Sequence, residues 1–201
     1  MRTLIIDNHT KNLEELCALF PKAKVTSKEN FRQNSNISDF DLIVLSGGSN
    51  VPTVLRHPEE YSQEMDLVRN SNIPILGICL GSEIITKAFD GNLVELDEEL
   101  RGAVTLNIEN KTLIETLGSE TLKVYEGHKI AIKDLPGTLV SCANSEHGIE
   151  IIKHATKPII GLSFHPEISP NKDLLRWVLK TLHLEPPNKL IPPFQAEQKI
   201  I

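Results

Sequence analysis

A cysteine stands between two glycines in the segment ILGICLGSE, residues 75–83. The apolar residues before Gly77 predict a buried strand, and those after Gly81 predict a helix. A nucleophile on a tight strand-to-helix turn is a nucleophile elbow, and the flanking glycines avoid a steric clash there. The turn should lift the Cys79 sulfur above the sheet at a helix N-terminus, where the dipole lowers a thiol pKa. The pattern predicts a reactive cysteine and aims the backbone N–H of Leu80 at a developing oxyanion.

A cysteine nucleophile needs a base, and the segment GLSFHPE, residues 161–167, offers a histidine for that role. His165 follows an apolar run that predicts a buried strand, so it is expected at the same carboxyl edge of the sheet as Cys79. Pro166 keeps the histidine out of the helical region, and residues two apart in extended backbone point the same way. We therefore expect Glu167 to reach the imidazole and fix its tautomer.

A glycine turn in the segment VLSGGS, residues 44–49, is the third element. Gly47 and Gly48 also follow a predicted buried strand, which places them at the carboxyl edge of the sheet. Backbone N–H groups in such a turn can supply a second donor to an oxyanion. The cysteine, the histidine–glutamate pair and the glycine turn are thus predicted to meet at one edge of one sheet, which indicates nucleophilic catalysis.

The elements that position these residues alternate between strand and helix in the first half of the chain. The apolar runs TLIID, DLIVLS and IPILG predict strands, and NLEELCALF, EEYSQEMDLVRN and SEIITKAF predict helices. Beyond about residue 92, short runs between turn residues predict antiparallel or edge strands, before a last buried strand and helix. We therefore predict the α/β class: an open, mostly parallel twisted sheet covered by helices, with a small antiparallel portion in the second half.

The chain is predicted to form one domain, residues 1–185, followed by a Pro-rich C-terminal tail, residues 186–201. Ser169 as a cap and Pro170 at the first helical position predict the start of the final helix. Cys17 falls on the apolar face of the first predicted helix, so we interpret it as part of the core.

Composition narrows the classes of partner. The chain has 201 residues, 40% of them hydrophobic, and a formal net charge of −6, which argues against nucleic acid as the main partner. No apolar stretch reaches the roughly 18 residues of a membrane span, and the start does not have the layout of a signal peptide. Three widely spaced cysteines form neither a disulfide framework nor a metal pattern, so we expect a cytoplasmic protein without a metal or organic cofactor.

Three motifs together resemble a known family. The segments LSGG, GICLG and FHPE occur in the order and at separations similar to those of class-I glutamine amidotransferases, the cysteine-triad glutaminases. The segment HGIEIIKHATKPIIGLSFHPE is especially similar to the GMP synthetase glutaminase type. The resemblance implies a flavodoxin-like amidotransferase fold and covers roughly residues 2–182.

The resemblance also implies roles for individual residues. Cys79 would attack the side-chain amide of glutamine, His165 would act as base and then acid, and Glu167 would orient His165. The N–H groups of Gly48 and Leu80 would form the oxyanion hole. In the family, ammonia passes to a synthetase domain. This chain carries no such domain and no P-loop-like stretch, so it would be a separate glutaminase subunit with a synthetase partner, or a stand-alone enzyme.

Two positions depart from the family pattern. Glu83 stands where most members have a glutamine that helps to bind the substrate, so Gly47 and Glu83 are the candidate substrate-binding residues. An ionised glutamate only accepts hydrogen bonds and would suit an α-ammonium group. Glu126 and Gly127 precede His128, where serine is commoner, and His128 is a candidate for partner contact or ammonia gating.

Three functional hypotheses remain open from the sequence. The first is a glutaminase or amidotransferase subunit that acts on glutamine. The second is a γ-glutamyl peptidase or hydrolase of the same fold, to which a glutamate at position 83 is similar. The third is a catalytically silent scaffold or regulator, and the intact triad argues against it. A fourth possibility is the related fold of cysteine-elbow chaperones and deglycases. Those proteins lack the late His-Pro-Glu, which argues against it.

Overall fold

The computed structural model describes residues 1–34 and 37–185. The strands within these residues are β1 (Thr3–Asn8), β2 (Lys24–Ser27), β3 (Leu42–Gly48), β4 (Ile75–Ile78), β5 (Asn92–Ile108), β6 (Thr121–Asp134), β7 (Leu139–Asn144), β8 (Ile149–His154) and β9 (Ile159–Leu162). The α-helices are α1 (Leu13–Leu19), α2 (Lys28–Asn34), α3 (Ser62–Asn70), α4 (Leu80–Ala88), α5 (Lys111–Leu117) and α6 (Lys172–Thr181). A short 3-10 helix, Pro58–Tyr61, leads into α3.

The described strands form one sheet in the order β2-β1-β3-β4-β9-β8-β6-β5-β7. The first five strands of this order run parallel to one another, as the apolar runs predict. Strands β4 and β9 are direct neighbours, with Ile78 opposite Leu162 at their carboxyl ends. The predicted nucleophile, Cys79, follows β4, and the predicted base, His165, follows β9. Because these two strands are neighbours, the two residues begin from adjacent positions at one edge of the sheet.

The second half of the chain supplies the antiparallel part of the sheet. Strand β8 pairs with β9, β6 and β7, and β5 pairs with β6 and β7, so these four strands close on themselves as a small barrel-like portion. Strands β5 and β6 have 17 and 14 residues, longer than the short apolar runs within them. Exposed residues alternate with buried ones along these strands and interrupt the apolar runs, so the sequence predicted shorter strands.

Helices cover both faces of the parallel sheet. Ile5 and Ile6, successive residues of β1, point into different apolar clusters, as the twofold alternation of a strand requires. One cluster takes Leu16 of α1 and Trp177 of α6, and the other takes Ile84 of α4. The predicted α/β architecture, with helices on both faces of a parallel sheet, is confirmed.

The start of the last helix differs from the prediction. Helix α6 begins at Lys172, and the side chain of Asn171 accepts hydrogen bonds from the backbone N–H groups of Asp173 and Leu174, both at 3.0 Å. Asn171 is therefore the cap, and the prediction of Ser169 with Pro170 was wrong by two residues. Asparagine caps a helix as well as serine does, so residue type alone could not choose between them.

Several other expectations bear on the same elements. Cys17 is half-buried on α1 and packs against the core, as predicted. The sequence analysis missed β2, α2 and α5, which are short. The predicted tail, residues 186–201, lies outside the described residues. None of the helices within residues 1–34 and 37–185 has the length and apolar character needed to cross a membrane.

Candidate active site

Cys79 occupies a strained turn between β4 and α4. Its backbone has φ 50° and ψ −108°, a left-handed conformation that L-residues rarely adopt. A Cβ on Gly77 would lie 2.5 Å from the backbone carbonyl of Gly81, and a Cβ on Gly81 would lie 2.3 Å from the carbonyl oxygen of Leu45. The turn thus has the geometry that the elbow pattern predicts, and it needs glycine at both positions.

The electrostatic surroundings of the Cys79 thiol differ from the prediction. Burial raises the pKa of Cys79 well above its usual value, and the negative charge of Glu83 raises it further. A hydrogen bond from the backbone N–H of Leu80 lowers this pKa but does not offset burial. The expected lowering of the pKa at the helix N-terminus was therefore wrong, because desolvation of a buried thiolate outweighs the hydrogen bond from the first N–H group of α4.

His165 and Glu167 form a buried pair beside the cysteine. Nδ1 of His165 lies 2.6 Å from Oε1 of Glu167, and both side chains are buried. This contact puts the proton of the neutral imidazole on Nδ1 and leaves Nε2 as the basic nitrogen. Nε2 faces Gly127, since a Cβ there would lie 3.8 Å from it. The backbone N–H of His165 donates to the carbonyl of Tyr125, which ties the base to β6.

Gly47 separates the predicted nucleophile from the predicted base. A Cβ on Gly47 would lie 3.2 Å from Cε1 of His165 and 3.5 Å from Cβ of Cys79. The cysteine and the histidine therefore flank the same small space. A side chain at position 47 would crowd both, so glycine keeps this space open for a reacting group.

Asn12 is a member of the site that the sequence analysis missed. It precedes α1 and is buried, with Nδ2 lying 3.3 Å from Oε1 of Glu167 and 3.4 Å from Nδ1 of His165. Because Nδ1 already donates to Glu167, the amide can donate only to the carboxylate. Asn12 thus holds the glutamate that holds the histidine. It lies 153 residues from His165 along the chain, and no local spacing connects the two.

A pocket of about 100 Å³ opens beside the cysteine. Gly48, Cys79, Leu80, Glu83 and His128 contribute to its lining. Gly47 and Gly48 are the last residues of β3, so the prediction that they form a turn after the strand was wrong. A Cβ on Gly48 would lie 2.4 Å from Cδ2 of Leu80, so the end of β3 and the first residue of α4 are in contact. Both predicted oxyanion donors therefore border the pocket that contains the nucleophile. A larger pocket of about 490 Å³ is lined by other residues, around His9 and Lys28, and none of the predicted site residues lines it.

Glu83 lies in the first turn of α4 and is buried at the wall of the pocket. Burial raises its pKa from 4.5 to about 7, and the charge of His128 opposes this rise. A glutamate with this pKa exists in both protonation states near neutral pH. It can therefore accept from an ammonium group when ionised or donate to a carboxylate when neutral.

His128 is also buried, so it does not present a surface for the predicted partner contact. Burial lowers its pKa, but the nearby carboxylate of Glu126 and the charges of Glu150 and Glu83 outweigh burial and raise the pKa of His128. Glu126 and Glu150 are buried as well. The sequence analysis noted Glu126 only as a departure and did not find Glu150.

The arrangement of an elbow cysteine, a histidine–carboxylate pair and a pair of glycines has a counterpart among known families. The sequence profile described as "Glutamine amidotransferase class-I" matches residues 4–181, which is most of the chain. The chain belongs to the class-I glutamine amidotransferase family. This amidotransferase has the α/β fold expected from the resemblance, and the family assignment makes it a glutamine amidotransferase enzyme.

Similar proteins have related names. A glutamine-hydrolyzing GMP synthase subunit of Methanococcus maripaludis is 33% identical over 166 residues, 82% of this chain and 81% of the relative. The protein of the same name in Methanosphaera stadtmanae is 36% identical over 128 residues, which span 63% of this chain and 64% of the relative, slightly under two thirds of its length. A solved structure of a proposed GMP synthase subunit from Thermoplasma acidophilum has a TM-score of 0.78 at 22% identity, and it covers 91% of this chain and 94% of the other. The likeness to that structure supports the α/β fold of this chain.

Proposed function

We propose that this amidotransferase is the glutaminase subunit of a GMP synthase-type enzyme, with residues 1–185 as its catalytic domain. The observation that carries the chemistry is the buried 2.6 Å contact between His165 and Glu167 at the edge where the elbow places Cys79. The choice of pathway is supported by relatives of 33–36% identity that are named as subunits of a glutamine-hydrolyzing GMP synthase.

The first half-reaction forms a thioester. Sγ of Cys79 attacks the side-chain carbonyl carbon of glutamine, and the thiol proton goes to Nε2 of His165. The resulting imidazolium is stabilised by Glu167, which keeps its negative charge. The tetrahedral intermediate collapses as the C–N bond breaks, and His165 returns the proton to the leaving nitrogen, which departs as ammonia.

The second half-reaction releases glutamate. A water molecule attacks the thioester carbonyl while Nε2 of His165 takes its proton. The C–S bond then breaks, and the histidine gives that proton to the sulfur of Cys79. Each proton taken by His165 is returned within the same half-reaction, so one residue serves as both base and acid.

The backbone N–H groups of Leu80 and Gly48 are the proposed oxyanion donors. Leu80 and Gly48 both line the pocket that contains Cys79. Loss of one such donor costs about 3 kcal/mol of transition-state stabilisation in hydrolases that use them.

Glu83 and Gly47 are proposed to shape the substrate site. Glu83 stands at the pocket wall, where its carboxylate suits the α-ammonium group of glutamine. Gly47 leaves room between Cys79 and His165 for the scissile amide. The proposed partner is a synthetase subunit that accepts the ammonia, a division of labour implied by the names of the relatives, which describe one subunit of a larger enzyme.

The position of Glu83 also favours a second function, hydrolysis of γ-glutamyl compounds by the same triad. A buried glutamate in place of an amide changes which groups on the substrate can be bound. Glutamine and a γ-glutamyl dipeptide present the same α-amino and α-carboxyl groups but differ in the leaving amine. The two functions therefore differ in what the pocket accepts beyond the scissile bond.

Glutamate release from glutamine and from a γ-glutamyl dipeptide tests both functions. Wild type, Cys79→Ala and Cys17→Ala are compared, alone and with the synthetase subunit encoded in the same genome. Cys17 is a half-buried cysteine on α1, so Cys17→Ala controls for the loss of a thiol outside the site. We expect release from glutamine that Cys79→Ala abolishes and Cys17→Ala retains, with faster release when the synthetase is present.

Two results would change the assignment. Release from the dipeptide but not from glutamine would move this amidotransferase to the γ-glutamyl hydrolases. No release from either substrate with the partner present, and no labelling of Cys79 by a diazo-ketone analogue of glutamine, would identify a silent scaffold.

A further inference from the structure

Three buried side chains meet beside the active-site pocket without forming a complete set of hydrogen bonds. Glu126 and His128 project from β6 two residues apart, and Glu150 projects from the neighbouring strand β8. One oxygen of each glutamate and one nitrogen of the histidine all lie within 4.8 Å of one another. We refer to Glu126, His128 and Glu150 as the Glu-His-Glu cluster.

The polar atoms of this cluster are under-satisfied. Glu126 has no exposed surface, and neither of its carboxylate oxygens has a hydrogen-bond partner within 3.5 Å that meets the geometry of a hydrogen bond. Both ring nitrogens of His128 are likewise without such a partner, although Nε2 lies 3.5 Å from Oε2 of Glu126. Buried carboxylates left without donors are costly, so a group that binds them would stabilise the fold.

The lysine next to the cluster in sequence pairs elsewhere. Lys129, the next residue along β6, has a half-exposed side chain, and its Nζ pairs with Glu95 at 3.2 Å. Two carboxylates and one imidazole therefore share a buried space that this lysine does not enter. The unsatisfied oxygens of Glu126 and ring nitrogens of His128 are lone-pair donors that a cation can bind.

We propose that the Glu-His-Glu cluster binds one divalent transition-metal cation. One imidazole nitrogen and two carboxylate oxygens form a mixed ligand set that suits Mn²⁺, Co²⁺ or Zn²⁺, whereas Mg²⁺ and Ca²⁺ prefer oxygen ligands alone. Ligands about 2.1 Å from a metal lie roughly 3 to 4 Å apart, so small side-chain shifts close the observed spacing.

Two further contacts fit a metal site. The hydroxyl of Ser145 donates to Oε1 of Glu150 at 2.7 Å, the kind of support that orients a ligating carboxylate, and Oε2 is left without a partner. His128 lines the pocket that contains Cys79, which gives a cation a route from solvent. A cation here does not depend on the glutaminase assignment, since none of the three residues carries a step of that reaction.

Cation binding can be measured without activity. The full chain carrying Cys79→Ala, which prevents the thiol from binding metal, is titrated with Mn²⁺ followed by electron paramagnetic resonance and with Zn²⁺ followed by calorimetry. The same titrations are made with Glu126→Gln, Glu150→Gln and His128→Gln added. The matched control is Glu146→Gln, because the exposed Glu146 pairs with the half-buried His147 at the same 3.5 Å separation.

We expect one Mn²⁺ or Zn²⁺ per chain, bound at least tenfold more weakly after each cluster substitution and unchanged by Glu146→Gln. Mg²⁺ should compete poorly. The absorption spectrum of Co²⁺ added to the parent chain gives a second readout that requires none of the cluster substitutions to fold. Bands of a nitrogen- and oxygen-ligated site, which differ from the spectrum of the hydrated Co²⁺ ion, are expected in the parent chain.

Either of two results would overturn the cation site. One is binding no tighter in the parent chain than in the cluster variants. The other is a Co²⁺ spectrum that matches the hydrated ion. Both would leave a cluster whose carboxyl groups share protons instead, which agrees with the rise in the pKa of Glu150 to about 7 that burial and then Glu126 produce.

Discussion

Nδ1 of His165 and Oε1 of Glu167 are 2.6 Å apart in a buried contact between residues two apart in sequence. In the proposed mechanism, the carboxylate fixes which ring nitrogen is basic and stabilises the imidazolium that forms. Glu167→Gln should therefore lower kcat for glutamine hydrolysis on the order of 10³-fold or more, because a neutral amide cannot stabilise the cation and can donate to Nδ1. Steady-state kinetics with the partner subunit measures this loss. Glu146→Gln, at an exposed position, should leave the rate unchanged, and a similar loss in both variants would contradict the role of Glu167.

Asn12 should contribute less than Glu167, since it acts on the base only through that carboxylate. Removing its hydrogen bond in Asn12→Ala should reduce kcat on the order of tenfold and leave KM nearly unchanged. Asn70→Ala is the control, because the amide of Asn70 donates to a backbone carbonyl on an exposed helix surface. A change in KM alone would place Asn12 in substrate binding instead.

The elbow glycines should be essential for stability. Gly77→Ala puts a Cβ 2.5 Å from the backbone of Gly81, which must shift. We expect the free energy of unfolding in urea to fall by about 1 to 3 kcal/mol. Gly137→Ala is the matched control, since a Cβ at that position meets nothing within 4 Å. Equal stability of the two variants would show that the elbow can relax at no cost.

Glu83 should control the reactivity of the nucleophile. Its negative charge is, after burial, the next cause of the raised pKa of Cys79. Glu83→Gln removes that charge, so the pH at which the thiol becomes half-reactive toward iodoacetamide should move down. The rate of alkylation against pH, with Cys79→Ala as the blank, measures the shift. An unchanged profile would mean that Glu83 is neutral wherever the thiol ionises.

The same glutamate should make stability depend on pH. Its pKa is about 7 in the folded chain against 4.5 as the usual value, so the folded state holds the proton more tightly. Its contribution to stability is therefore complete below about pH 4.5 and is lost as the pH rises through about 7, a change of as much as about 3 kcal/mol. The free energy of unfolding, measured in urea with a chelator present, should fall less steeply with rising pH in Glu83→Gln than in the wild type. An equal decline in both proteins would contradict the raised pKa.

The parts of the site that sequence reasoning could predict are those encoded locally. Gly77, Cys79 and Gly81 define the elbow within five residues, and His165 and Glu167 are only two residues apart. The expected extended backbone between His165 and Glu167 was wrong, because residues 166–168 form a turn in which the N–H of Ile168 donates to the carbonyl of His165 at 3.1 Å. Asn12 and Glu150 could not be found in this way, because strands and helices far apart in the chain bring them to the site.

The missed electrostatics have a different origin. The pattern around Cys79 predicts the N-terminus of α4 next to the sulfur. It does not indicate how deeply the sulfur is buried or which carboxylates surround it. Burial is a property of the assembled fold, and here it reverses the direction of the predicted pKa change. The fold class was easier to predict, because continuous apolar runs indicate buried parallel strands. Long strands with alternating buried and exposed residues, such as β5, contain only short apolar runs, so their full length was not predicted.

The nucleophile and the base leave from neighbouring strands that are hydrogen-bonded to each other. The backbone N–H of Cys79 donates to the carbonyl of Leu162 at 2.7 Å, three residues before His165. The spacing between thiol and imidazole is thus set by the hydrogen-bonded ladder between β4 and β9. Any control that the proposed synthetase partner exerts from outside is therefore expected to act on Gly47 and Gly48 or on the pocket entrance, and not on the positions of Cys79 and His165.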